Sequence, residues 1–117
     1  MRHRKQKVTL GRTKAQREAL LRTLAVSLIL HGSIRTTKAK ARALRMFIEP
    51  MVTKAKTGSL AARRQIAREL STNTAVNKMM EDIGPTYKER PGGYTRIVSL
   101  APRPQDGAAM ARIEFVS

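Results

Sequence analysis

The sequence predicts an α+β domain: about four helices packed on a small three-stranded sheet, preceded by an extended basic arm. Three observations lead there. From Thr13 to Ile83 apolar residues recur at helical spacing, broken by caps and turns. Beyond Gly92-Gly93 the period changes to two. Residues 1–12 show no periodicity and run out at Gly11, so they read as an arm, with 13–117 as a single domain.

The first helix is signalled by Thr13 as N-cap, with Gln16 three residues on to complete a capping box. Leu20, Leu21, Leu24, Leu28 and Ile29 form its apolar stripe, and Gly32 after His31 is a stop. Ser33 to Thr37 is short, β-branched and alternating, which predicts a strand. Thr36 or Thr37 then caps a second helix with Ala41, Leu44, Ile48, Val52 and Ala55 on one face. Pro50 falls inside that pattern, and its missing N–H predicts a kink or break near Phe47 to Glu49.

Ser59 caps a third helix, Leu60 to Leu70, buried through Leu60, Ile66, Ala67 and Leu70. A cap within Ser71 to Asn73 starts a fourth, striped by Val76, Met79, Met80 and Ile83 and stopped by Gly84-Pro85. The methionines read as core filling. Tyr94 to Ala101 and Met110 to Val116 alternate, with Ala111, Ile113 and Phe115 on one face, and Pro102 to Gly107 between them is turn chemistry. Two strands alone are marginal in water. The Ile34 strand is the expected third partner.

The charge is the dominant fact. Among 117 residues, 24 are Lys or Arg and 8 are Asp or Glu, a net of +16. The excess is uneven: residues 1–70 carry a net of +15 and residues 71–117 a net of +1. Such self-repulsion opposes folding unless a polyanion neutralises it, which predicts a polyanionic partner on one side. With no cysteine there are no disulfides, thiolate metal sites or cysteine nucleophiles. No apolar run approaches the roughly 18 residues of a membrane span, and the arm is not followed by an apolar signal region. The chain therefore reads as intracellular.

An enzyme reading finds little support. His3 lies in the arm and reads as a nucleic-acid contact, His31 reads as a helix-end residue suited to the dipole, and Glu81-Asp82 point apart on a helix. No phosphate loop, dinucleotide fingerprint or metal-ligand cluster is present, so no cofactor, metal or small-molecule substrate is expected.

Nucleic-acid binding fits better. Arg2, Arg4, Lys5, Lys7, Arg12, Lys14 and Arg17 precede the first carboxylate, Glu18. Extended at about 3.3 Å per residue, the arm reaches about 30 to 40 Å. Lys38, Lys40, Arg42 and Arg45 offer a second basic surface, and Arg63, Arg64 and Arg68 a third, on charge alone. Only four aromatics, Phe47, Tyr87, Tyr94 and Phe115, argue against reading single-stranded bases by stacking. Contact through backbone and shape, as folded RNA allows, is the better match. The Arg90 to Arg96 stretch serves either as a tight turn into a strand or as an RNA-contacting loop on that turn. The rival readings are an architectural protein that compacts DNA, and a small enzyme or RNA chaperone using the basic surface for substrate.

Several stretches together resemble one known family: MRHRK at the start, RTKAQREALLRTLAVSLILHGSIRTT, KAKARALRMFIEPMVTKAK, IGPTYKERPGGYTRI and MARIEFV. They resemble, in order and spacing from Met1 to Val116, the seventeenth protein family of the bacterial large ribosomal subunit. The resemblance implies an α+β fold and a cytoplasmic, non-catalytic constituent of the large subunit. It also implies contact with 23S ribosomal RNA on the solvent side near the polypeptide exit tunnel, beside neighbouring large-subunit proteins. Carried over, it implies RNA contacts at Arg2, His3, Arg4, Lys5, Lys7, Arg12, Lys14 and Arg17. The strand-to-helix block adds Thr36, Thr37 and Lys38, beside Arg35 and the basic Lys40, Arg42 and Arg45 that read as RNA contacts on charge. Gly92, Gly93, Tyr94 and Arg96 match the glycine-rich motif, as an RNA contact or as a folding turn.

Overall fold

The computed structural model describes residues 13–117, so the expectations placed on residues 1–12 lie outside the described residues. The chain runs α1 (Lys14–His31), β1 (Ser33–Thr37), α2 (Lys38–Ala55), α3 (Leu60–Glu69) and α4 (Asn73–Lys78). A π-helical segment (Met79–Ile83) and a single turn, α5 (Gly84–Thr86), follow, then β2 (Thr95–Leu100) and β3 (Met110–Phe115). With α4 to α5 as one fourth helical run, this is the expected α+β class with a three-stranded sheet.

The helix starts follow their caps. Thr13 and Gln16 form the reciprocal capping box at 3.2 Å in each direction. Thr37, not Thr36, caps α2, its hydroxyl accepting from Lys40 N–H at 3.3 Å. Ser59 and Thr72 cap α3 and α4 in the same way. Gly32, at φ 83°, ends α1 in the left-handed region and turns the chain directly into β1.

The sheet order is β1-β3-β2, both pairings antiparallel, with Ile34 opposite Ile113 and Ile97 opposite the same residue on the other side. Ala111 and Ile113 face the helices and are fully buried. α2 is the hub: Leu44, Ile48, Val52 and Ala55 meet Ala25, Leu28 and Ile29 of α1 and Ile66 of α3 in one core. Each large side chain buried there contributes roughly 1.5–3 kcal/mol. Met79 is fully buried, as a core methionine should be.

Three expectations need correction. α2 continues as one helix across Pro50, so of the expected kink or break the break does not occur. The proline lies on its exposed face, and Met46, whose carbonyl loses a partner, is 61% exposed, so solvent can replace the missing donor. In α3, Leu60 is 63% exposed and Ala67 is exposed; Ala62, Ile66 and Leu70 make the buried edge instead.

Gly84-Pro85 does not stop the fourth run, which ends at Thr86. The π-helical turn, closed by Gly84 N–H donating to the Met79 carbonyl, places Pro85 at the start of α5, where its missing N–H costs least. Gly84 is there for proximity. A Cβ on it would lie 2.7 Å from the Ala55 carbonyl oxygen, which is backbone. Alanine gains about 1 kcal/mol of helix propensity, but the forced separation of α5 from α2 outweighs it. Gly84→Ala is expected to destabilise by about 1–3 kcal/mol net, lowering Tm by about 5–15 °C. A raised Tm in a thermal melt would refute the close-approach account.

Candidate nucleic-acid interface

The basic residues divide by what they touch. Some serve the fold. Arg22 Nε donates to the Glu69 carbonyl at 3.0 Å, tying α1 to the end of α3. Lys78 Nζ donates to the Leu30 carbonyl at 3.3 Å, and Arg63 donates to Asn77 Oδ1. Arg63 is thus half-buried and engaged, whereas Arg64 and Arg68 are exposed.

Lys14 and Arg17 stand in the first turn of α1, which holds no acid. A helix N-terminus disfavours cations, so their placement opposes the helix unless an anion lies beside them. The same holds at α2, whose first turn carries Lys38 and Lys40 and no acid. Lys38, Arg42 and Arg45, four and three residues apart, line one ridge of α2. Lys40 lies roughly 200° around the helix from Lys38 and so belongs to a different flank. Among these four, and within the described residues, Arg45 alone approaches a carboxylate, Glu49, at 4.0 Å. The hydroxyl of Thr37 is taken by its cap, and Lys38 N–H donates to the Ala109 carbonyl at 2.8 Å. These two groups hold the junction; the side chains beyond them form the ridge. Thr36 lies on the sheet's inner face, opposite the buried Ala111.

The glycine-rich motif performs a folding task. Gly93, at φ 65°, delivers Tyr94 beneath α2. Tyr94 is 1% exposed, so it is a core residue and its ring does not reach a surface ligand. Its hydroxyl accepts from Lys56 Nζ at 3.0 Å and shares a hydrogen bond with Thr53 at 3.2 Å. The Lys56 donor holds the Tyr94 phenol below its ordinary pKa, whereas burial pushes neighbouring Tyr87, 5.4 Å away between ring centroids, upward. Gly93 keeps an exposed backbone and Gly92 is half-buried.

On the sheet, alternation sends Arg35, Arg96, Arg112 and Glu114 to the face away from the helices. Arg112 stands directly opposite Arg35, and Arg96 opposite Glu114. Glu114 accepts from Arg96 at 2.6 Å and from Arg112 at 3.0 Å; the Arg96 hydrogen bond, joined by that of Arg112, holds its carboxyl below the usual range. Charge clustering does not single out Arg112 in the sequence. Its position between inward-facing Ala111 and Ile113 was the available signal.

Among the described residues no group of His, Cys, Asp and Glu could hold a metal ion, and no helix is long and apolar enough to cross a membrane. His31 is exposed at the end of α1.

The family model for ribosomal protein L17 matches residues 20–116. The chain belongs to the ribosomal protein L17 family. Among curated L17 relatives, the "Large ribosomal subunit protein bL17" of Gemmatimonas aurantiaca is 52% identical over 116 residues, covering 99% of this chain and 98% of that protein. The protein of the same name from Shouchella clausii is 50% identical, covering 92% of this chain and 96% of its own length. That of Salinibacter ruber is 45% identical over 99% of this chain but only 59% of its own length, so some L17 proteins are considerably longer. The L17 family is one of ribosomal structural components and not of enzymes. The resemblance carried by the MRHRK start and the GGYTRI block is thereby borne out.

Proposed function

We propose that this protein is a structural constituent of the large ribosomal subunit, working in the cytoplasm, that binds and stabilises folded 23S ribosomal RNA. Its further partners are neighbouring large-subunit proteins, and its place is the solvent side near the polypeptide exit tunnel. Residues 1–12 act as an extended basic arm serving a single domain of residues 13–117. The observation that carries the reading is the ridge of Lys38, Arg42 and Arg45 at a helix start without acids, in a chain of net charge +16. A phosphate backbone satisfies such a surface and releases counterions in doing so. The names of the L17 relatives point to the same particle.

The test is a sucrose gradient on cells carrying an epitope-tagged copy. Stoichiometric signal in the free large subunit and the intact ribosome is expected to survive about 0.5 M monovalent salt, where exposed pairs are strongly screened. Signal that stays at the top, or that follows DNA, sinks this reading and favours the DNA-compacting one.

A further inference from the structure

We infer that the outer face of the sheet, centred on the opposed pair Arg35 and Arg112, is a second RNA-backbone site, separate from the α2 ridge. The inference rests on the ribosomal reading and names a surface of its own. Arg35 and Arg112 are Cα partners in the β1–β3 register, and like charges directly opposite one another destabilise a sheet. Arg35 is exposed, and among the described residues no carboxylate forms an ion pair with it. The face holds a single acid, Glu114, already shared by Arg96 and Arg112, so three guanidiniums are met by one carboxylate. A phosphate placed between residues 35 and 112 would accept from both and remove the repulsion; guanidinium forks suit phosphate geometry.

The rest of the face decides for RNA over an acidic peptide. Val98, Leu100 and Met110 share it with the arginines and are only half-buried. At its edge the β2–β3 loop, residues 101–109, shapes a groove of about 570 Å³ lined by Arg35, Leu100, Pro102, Pro104, Gln105 and Met110. An RNA backbone alternates phosphates with riboses, supplying charged and less polar partners along one strand. Arg103, which also lines the groove, is already paired with Asp106 at 3.1 Å, so among the described residues Arg35 is the lining cation without a carboxylate partner.

The full chain would be titrated with deproteinised 23S rRNA across a salt series, in parallel with Arg35→Gln/Arg112→Gln and Arg35→Lys/Arg112→Lys. The glutamine variant is expected to shallow the slope of log K against log salt by about 1–2 units. Its thermal midpoint should stay close to the wild-type value, because relief of the opposed charges is offset by loss of the partly exposed Arg112–Glu114 pair. The lysine variant should retain the slope, since an ammonium also binds phosphate. An unchanged slope in the glutamine variant overturns the inference and leaves an acidic protein segment as the face's occupant. A lost slope that lysine does not restore marks a damaged fold and overturns it as well. Wild-type binding to rRNA no tighter than to duplex DNA at equal salt would instead bring down the ribosomal reading, and this inference with it.

Discussion

Glu49→Ala is expected to destabilise the protein by about 3–5 kcal/mol, from hydrogen bonds to a charged acceptor at roughly 1.5–3 kcal/mol each, discounted for partial solvent access. The Glu49 carboxylate, projecting from α2, accepts from Tyr94 N–H at 3.3 Å, Thr95 N–H at 2.9 Å and the Thr95 hydroxyl at 2.7 Å. Thr95 is 2% exposed, so deleting the acceptor strands donors that water does not readily reach. The nearby Arg45 adds little, being 4.0 Å away and half-exposed. Glu49→Gln keeps one acceptor oxygen but turns an amide N–H toward the same donors, so it should recover only part of the loss. Urea unfolding is the measurement: the midpoint should fall with the m-value unchanged. A loss below about 1 kcal/mol would mean that the ladder alone anchors β2 and the carboxylate is incidental.

Removing residues 1–7 takes away Arg2, Arg4, Lys5 and Lys7. If each neutralises a phosphate, the salt slope of rRNA binding should shallow by about 2–4 units, and affinity near 0.1 M salt should drop about a hundred- to ten-thousandfold. The core is built from Ala25 to Ile113, so the unfolding midpoint should stay where it is. That combination, affinity lost and stability kept, separates a binding arm from a folding one. An unchanged slope would assign the binding to the α2 ridge and the sheet.

The elements legible in the sequence were those fixed by near neighbours. The Thr13–Gln16 box, the Gly32 stop and the alternation around Ile113 each act within a few residues, and each appears as read. Pro50 was misread because the local penalty of about 3 kcal/mol is outweighed by a face bearing seven buried residues of α2. Gly84 was misread because its reason, the carbonyl of Ala55, lies far off in the chain. The burial of Tyr94 is not legible beside Arg90 and Arg96, because the Lys56 and Thr53 that meet its hydroxyl come from the C-terminal end of α2. At the interface, the basic segments were legible as charge. The opposition of Arg35 and Arg112 was not, since register across strands is set by pairing and not by spacing.

The order β1-β3-β2 also constrains the time at which the molecule takes shape. The middle strand is the last of the three to be synthesised. While the chain is being made, β1 and β2 exist without the element that joins them, and the helices have no completed sheet to cover. The sheet can close only once Met110–Phe115 is available to pair with both β1 and β2. A nascent chain shorter than that carries most of the positive charge but has neither a closed core nor the paired arginines.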